Sequence, residues 1–483
     1  MTLEFNDPVI TDASVWRTRA EAVLKGADFD RVLTSATADG LRIQPLYGKA
    51  KSNRPLIGRL AGSPWAIMGR MDDPDSIRAN TQALIDLENG ATGLVLVFEN
   101  AVGSYGFGLP ANANAVAEAL KGIYLDAGID LSLDCGPRGR DAAHAFADAS
   151  KMLGFPTNAI RVRFGLNPIG LGARDGEFPA DSHKMGINIG ASVNDLIAQG
   201  FSGPFVVADG RIIHNSGGSE AQELGFVLAS AVFYFRALEA AGISLQDAQS
   251  MIEFRLSSDT DQFLSIAKHR ALRRLWASIE SQCGLQTKPI LLTSETAYRM
   301  MARRDPHVNL LRSGMACFAA AIGGADAITV LPFTTALGLP DPFARRLARN
   351  TQLVLLEEAH LAKVSDPAAG AGVYEALTDG LVAEGWKQFQ MIESEGGIVA
   401  SISTGALQNR VAISRHAADQ ALAEKKSIMV GVTDFLNKDE KPVSVIAPFP
   451  PDASNYDCAF IPLKSYRISE TFDRAQDQEG PVQ

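Results

Sequence analysis

The chain has 483 residues, 46% of them hydrophobic and 21% charged, with a formal net charge of −10. The length exceeds what one core usually serves, so one large domain with added segments is expected. The composition excludes a disordered chain, and the acidic balance disfavours nucleic acid as a partner. Four cysteines, at 135, 283, 317 and 458, have neither metal-ligand nor redox spacing. They read as reduced, mostly buried thiols of a cytoplasmic protein.

In chain order, the opening "MTLEFNDPVITDASVW" carries acids and no basic start, so no signal peptide is expected. Residues 1–62 read as an N-terminal arm for subunit contact, with a helix in "VWRTRAEAVLKG" and a polar stretch ending in "LRIQPLYGKA". From Ser63 onward, β-rich runs alternate with segments of helical period. The runs are "PWAIMG" (64–69), "GLVLVF" (93–98), "IDLSLD" (129–134), "AIRVRF" (159–164), "PFVVAD" (204–209), "MIEFRL" (251–256), "PILLTS" (289–294) and "AITVLP" (327–332). Mostly solid apolar runs are what parallel strands covered on both sides require. Helices are expected to start near Asp75, Asn112, Asp141, Asp181, Ser219, Thr260, Pro306 and Asp341, several of them capping residues. Eight such units over residues 63–400 predict an α/β fold, a (β/α)8 TIM barrel. An open doubly wound sheet is the alternative, but no Gly-rich phosphate loop follows the first strand.

Three segments within the barrel carry two readings each. "SGGSEAQEL" (216–224) is a glycine turn before a helix, which either serves the fold or holds an anion at the helix N-terminus. "LGFVLASAVFYF" (224–235) is too short to span a bilayer and is a buried helix or a subunit contact. "KHRALRRLW" (268–276) reads as a solvated or salt-bridged helix face. Residues 401–483 form a C-terminal linker segment, helical in "NRVAISRHAADQALAEKKS" and extended in "KPVSVIAPFPPDA".

Barrel chemistry sits at the C-terminal ends of the strands. Those ends offer Arg70, Glu99, Asn100, Asp134, Arg163, Asn167, Asp209, Arg211, His214, Arg255, Ser257, Asp259, Glu295, Thr296, Pro332 and Thr334. No strand end carries a lysine, which disfavours a Schiff-base aldolase. Among seven histidines only His214 lies near a strand end, which disfavours a metal site. His214 is a pocket residue or a surface loop histidine, and Arg163 and Arg255 line a pocket or stack outward on the barrel helices.

Three stretches resemble the methylmalonyl-CoA mutase family. They are "VLKGADFDRVLTSATADGLRIQPLY", then "GSEAQELGFVLASA" followed by "FLSIAKHRALRRLWASI", and last "SDPAAGAGVYEALTDGLVAEGWKQF". The resemblance runs from about residue 15 to 475. It implies a barrel whose catalytic relatives bind acyl-CoA along the axis, with adenosylcobalamin laid on the barrel mouth by a flavodoxin-like domain or chain. The D-x-H-x-x-G loop of that domain, and with it the lower histidine ligand to cobalt, is expected to be absent here.

The family's pocket positions also look replaced. Its S-G-Y-H motif falls so that tyrosine and histidine become Arg211 and Ile212, and His214 is not the family histidine. The H-x-Q-T motif falls on "TSET", giving Thr293 and Glu295. T-Q-S-L-H-T-N falls on "ADAITVL". The tyrosine after W-T-I-R-Q becomes Arg70, and a substrate arginine falls near Met251. A carboxylate beside a thioester oxygen would repel the charge it must stabilise. The candidate pocket set is therefore Arg70, Arg163, Asn167, Asp209, Arg211, His214, Ser257, Thr293 and Glu295, with no catalytic residue, metal or cofactor held by this chain alone. The resemblance implies a non-catalytic small subunit. Its partner would be a catalytic chain, with adenosylcobalamin in the assembled complex of propionate metabolism. A barrel that still holds acyl-CoA is left open. The alternative is a catalytic barrel chain of another acyl-CoA mutase that takes cobalamin from a separate small subunit.

Overall fold

The computed structural model describes residues 13–50, 55–56, 58–450 and 458–473. The first twelve residues of the opening stretch and residues 451–453 of the proline-rich stretch lie outside the described residues. Eight parallel strands form the centre: β1 (Ala66–Met71), β2 (Gly93–Val97), β3 (Asp130–Asp134), β4 (Val162–Arg163), β5 (Val206–Asp209), β6 (Ile252–Ser258), β7 (Leu291–Thr296) and β8 (Ala327–Thr329). Each strand except β4 pairs with the next in sequence, and β8 pairs with β1. The remaining gap, between β4 and β5, is bridged by Phe164 N–H to Pro204 O (2.9 Å) and Leu166 N–H to Phe205 O (3.0 Å). The sheet thus closes into a (β/α)8 barrel, and the open-sheet alternative falls.

The eight helices are α1 (Ser76–Glu88), α2 (Ala113–Ala119), α3 (Gly139–Met152), α4 (Ser182–Ala198), α5 (Glu220–Ala240), α6 (Gln262–Gln282), α7 (Val308–Ile322) and α8 (Pro342–Leu353). Five of the expected starts are observed caps: the side chains of Asp75, Asn112, Asp181, Ser219 and Asp341 accept first-turn N–H groups. The other three differ by one to three residues, with Arg138, Asp261 and His307 in the cap positions.

The strands are less uniformly apolar than the runs suggest. Outward positions such as Leu94, Leu96, Leu131, Leu133, Phe254 and Leu292 join the main core under the helices. Inward positions alternate with them, as pleating dictates. They carry a small apolar cluster (Met68, Val95, Val97, Ala327) and a layer of charge.

Two further helices pack outside, α9 (Gly372–Ser394) and α10 (Ala406–Ala423). The apolar run 224–235 is explained within the chain, since α5 is wedged between the barrel and α9. A side chain at Gly225 would collide with Gln388 of α9. The basic stretch 268–276 is not a solvated face: Lys268, His269, Arg270 and Arg273 are buried. Arg270 donates to Asp366 (2.9 Å), Glu375 (2.7 Å) and Thr378 (2.9 Å), so much of that face lies under the 366–378 segment. Of the cysteines, two are buried (Cys135, Cys317) and two exposed (Cys283, Cys458); none forms a disulfide.

The helix Ala13–Leu24 buries no residue and leans on Phe29 through Trp16, ring centroids 6.1 Å apart. Residues 460–468 run across the barrel mouth, where Tyr466 N–H donates to Asn215 O (2.8 Å) and Ile468 N–H to Arg299 O (2.9 Å). Among the described residues no helix is long and apolar enough to cross a membrane.

Candidate functional site

Alternation along β3, β4, β6 and β7 aims Ser132, Arg163, Glu253, Arg255, Thr293 and Glu295 at the barrel axis, and Arg70 of β1 reaches Glu295 from above that space. Arg211, in the first turn after β5, reaches into the same space. These groups pair with one another. Arg211 binds Asp209 (2.7 Å), Asp134 (2.9 Å) and Glu295 (3.2 Å). Arg70 donates to Glu295 (3.0 Å), Asp72 (3.1 Å) and Gly103 O (2.7 Å). Arg255 donates to Glu253 (3.0 Å) and Ser132 (3.1 Å), and Thr293 donates to Glu253 (2.7 Å). Arg163 donates to Asp130 (2.8 Å) near the opposite end of the barrel.

The result is four guanidiniums, of Arg70, Arg163, Arg211 and Arg255, against four carboxylates, of Asp134, Asp209, Glu253 and Glu295, all buried. Burial pushes the carboxyls of Asp134 and Glu253 up, and the facing arginines outweigh it: Arg211 and Arg255 for Asp134, Arg255 and Arg163 for Glu253. Both lie below the ordinary carboxylate range. The same balance raises the Arg211 guanidinium well above its usual value.

The loop after β2 seals the mouth. Tyr105, at φ +43°, donates its hydroxyl to Glu295 (2.7 Å), accepts from Asn215 (3.1 Å) and stacks on Tyr298 at 4.3 Å. Gly103 lies so close beneath that a side chain there would collide with both Arg211 and Asp134. A cavity of about 20 Å³ is left on the axis. That is room for a water molecule, whereas small-molecule pockets run to roughly 300–1,000 Å³.

A second cluster lies under the glycine turn. His214 Nδ1 faces Glu223 (3.0 Å) and Nε2 faces Asp259 (3.2 Å), with Lys268 Nζ 3.2 Å from Nδ1. Arg299 donates to Asp259 (2.7 Å) and Gly218 O (2.8 Å). His214 is wholly buried, so the surface-loop reading is wrong. Burial raises the Glu223 carboxyl, but Lys268 and His214 bring it down to about 2. His214, Glu220 and Asp259 lie close enough to share a metal. The Arg299 guanidinium already bonds both carboxylates, so a second cation there would meet a like charge.

The turn itself needs Gly217, at φ +97°. The helix N-terminus behind it does bind an anion, but one of the chain's own. Asp39 of the N-terminal segment accepts from Ser219 Oγ and from Ala221 N–H (3.1 Å).

Of the nine pocket candidates, Arg163, Arg211, Thr293 and Glu295 meet on the axis; Arg70 joins them through Glu295 and Asp209 through Arg211. Asn167 sits at the edge, 3.4 Å from Asp209. Ser257 and His214 belong to the second cluster, where Ser257 N–H donates to Glu223 (2.9 Å). Arg163 and Arg255 point inward, so outward stacking is excluded for both. Sequence reasoning missed Glu253, Ser132, Tyr105 and Gly103. The spacing Glu253-x-Arg255-x-Ser257 could have flagged Glu253, because alternate residues of a strand share a face.

The D-x-H-x-x-G pattern does occur once, as "DSHKMG" at 181–186, which corrects the expectation of its absence. There Asp181 caps α4 and His183 is exposed in its first turn, outside the barrel. It is a helix start rather than a cobalt-binding loop. The described residues around the mouth do not fit a corrin either. His214 is enclosed by carboxylates, and the loop after β2 and residues 460–468 cover the opening.

A family profile described as methylmalonyl-CoA mutase matches residues 204–457. The methylmalonyl-CoA mutase small subunit of Streptomyces virginiae is 37% identical over 89% of this chain and 71% of its own length. The small subunit of Propionibacterium freudenreichii subsp. shermanii is 31% identical over 96% of this chain and 72% of its own length. The methylmalonyl-CoA mutase of Escherichia coli matches at 33%, over 46% of this chain and 31% of its own length.

Proposed function

The chain belongs to the methylmalonyl-CoA mutase family, and from that premise we propose that it is the non-catalytic small subunit, paired with a catalytic chain that carries out the isomerisation. The observation that carries this reading is the closed axis. An acyl-CoA could lie along it only by separating Arg211 and Arg70 from Glu295 and expelling the Tyr105 loop. Breaking buried, fully paired charges without replacing their partners costs several kcal/mol per ion. The thioester group is uncharged, and the single acyl carboxylate of a methylmalonyl group could face one of these arginines but would leave the displaced Glu295 without a cation. The remaining cavity accepts neither a pantetheine chain nor a corrin, so no step of the reaction is assigned to this chain's residues.

Under this proposal adenosylcobalamin acts in the assembled complex, on the partner chain. The exposed N-terminal helix Ala13–Leu24 is the segment we assign to subunit contact, since a 12-residue helix with no buried residue has little to hold it in isolation. A catalytic barrel borrowing cobalamin from a separate protein would need an open axis, which the plug opposes.

The test is co-expression with a catalytic methylmalonyl-CoA mutase chain, read by size-exclusion chromatography with light scattering and by isomerase assay. A 1:1 complex is expected, active only through the partner, and the purified chain with adenosylcobalamin is expected to show no turnover. Turnover by the lone chain, or its elution as a separate species beside an intact partner, would reject the reading.

A further inference from the structure

We propose that the cavity on the barrel axis is a binding site for one water molecule, held between the Arg163 Nε–H and the Glu253 carboxylate. The pairing around these two residues is complete except at two atoms. Arg163 uses Nη1 on Asp130 (2.8 Å) and rests Nη2 against Met68 Sδ (3.6 Å). Glu253 uses Oε1 to accept from Arg255 (3.0 Å) and Thr293 (2.7 Å). Arg163 Nε and Glu253 Oε2 are buried and have no hydrogen-bond partner in the protein. They face each other at 3.9 Å, too far for a direct bond.

Both residues line the same cavity of about 20 Å³. A single water needs about 10–15 Å³ of such space, and no organic ligand fits. The chemistry of the two free atoms selects the occupant. One is a donor and the other a charged acceptor, so the bridging species must accept and donate at once. An anion would satisfy Arg163 and be repelled by Glu253, whereas a cation would do the reverse. Water does both, and the hydroxyls of Ser132, Thr293 and Thr329 line the same space. A buried polar atom left unpaired is costly, which is the driving force for occupancy. With the water in place the axis becomes one continuous hydrogen-bonded chain, from Asp130 through Arg163 and Glu253 to Arg255.

The inference rests on the plug's geometry and not on the pairing with a catalytic chain. A crystal structure of the wild-type chain, at a resolution that shows ordered solvent, tests it. The expected result is a single peak about 2.7–3.2 Å from both Arg163 Nε and Glu253 Oε2, with no anomalous signal after a bromide soak. A flat difference map at that place, or a bromine peak in it, would overturn the site and leave the subunit reading standing. Density for an acyl-CoA along the axis would overturn both. As an independent readout, magnetic relaxation dispersion should count one long-lived water fewer in Arg163→Met than in wild type. An unchanged count would also speak against the site. Should that variant fail to fold, the wild-type density decides alone.

Discussion

Arg211 is the residue on which the plug hangs. It sits in the first turn after β5 and bonds three carboxylates, Asp134, Asp209 and Glu295. Arg211→Met would leave all three buried beside one another, and breaking a buried pair on one side costs about 3–5 kcal/mol. A urea titration should show that loss, with the midpoint lowered and the slope unchanged. The acids give a second prediction. Burial raises Asp72 and Glu223, but Arg345 and Arg70 for the first, and Lys268 and His214 for the second, bring each to about 2. Asp134, Glu253 and Asp259 are shifted the same way. Folded values below unfolded ones mean that this stability is present above the unfolded carboxylate range, near pH 4, and is lost as pH falls toward 2. Thermal melts should therefore drop steeply between about pH 4 and 2. Asp39 behaves oppositely. Burial and the nearby Glu220 raise it to about 6, so its contribution is present below the unfolded value and is lost as pH rises through 6. Asp39→Asn should flatten the melting temperature between about pH 4 and 6, relative to wild type, while leaving the acid limb intact. At this scale the sequence named most of the axial residues but not their partners. It placed Arg70, Arg211 and Glu295 at strand ends. Whether they faced one another depended on barrel closure, which no single strand encodes. His214 was misplaced for the same reason, since Glu223, Asp259 and Lys268 come from three different elements.

At the scale of elements, alternation and capping were the legible signals. All eight strands lie within or beside the expected runs, and five capping side chains start the helices they were expected to start. Of the two readings of the basic stretch of α6, the salt-bridged one holds and the solvated one does not; a periodic charged face looks the same whether water or another segment covers it. Here the 366–378 segment covers it and supplies Asp366 and Glu375. The loop after β2 was not legible as a lid at all. Its part depends on Gly103, whose missing side chain lets the backbone lie on Arg211 and Asp134. Gly103→Ala should therefore lift this loop. The expected readouts are a loss of roughly 1–3 kcal/mol, the usual cost of overpacking, and faster proteolysis within residues 99–108. Stability equal to wild type, with unchanged cleavage, would show that the loop does not press on the network.

At the scale of the whole molecule, a (β/α)8 barrel has kept its wall while filling its axis with balanced charge. Its axis holds four buried arginines and four buried acids in place of open space. The central claim is that the axis is closed to acyl-CoA. Calorimetric titration of methylmalonyl-CoA into the purified, folded chain tests it most directly. No saturable heat is expected. One-site binding in the micromolar range, abolished by enlarging Thr293 to Trp at the axis, would contradict it.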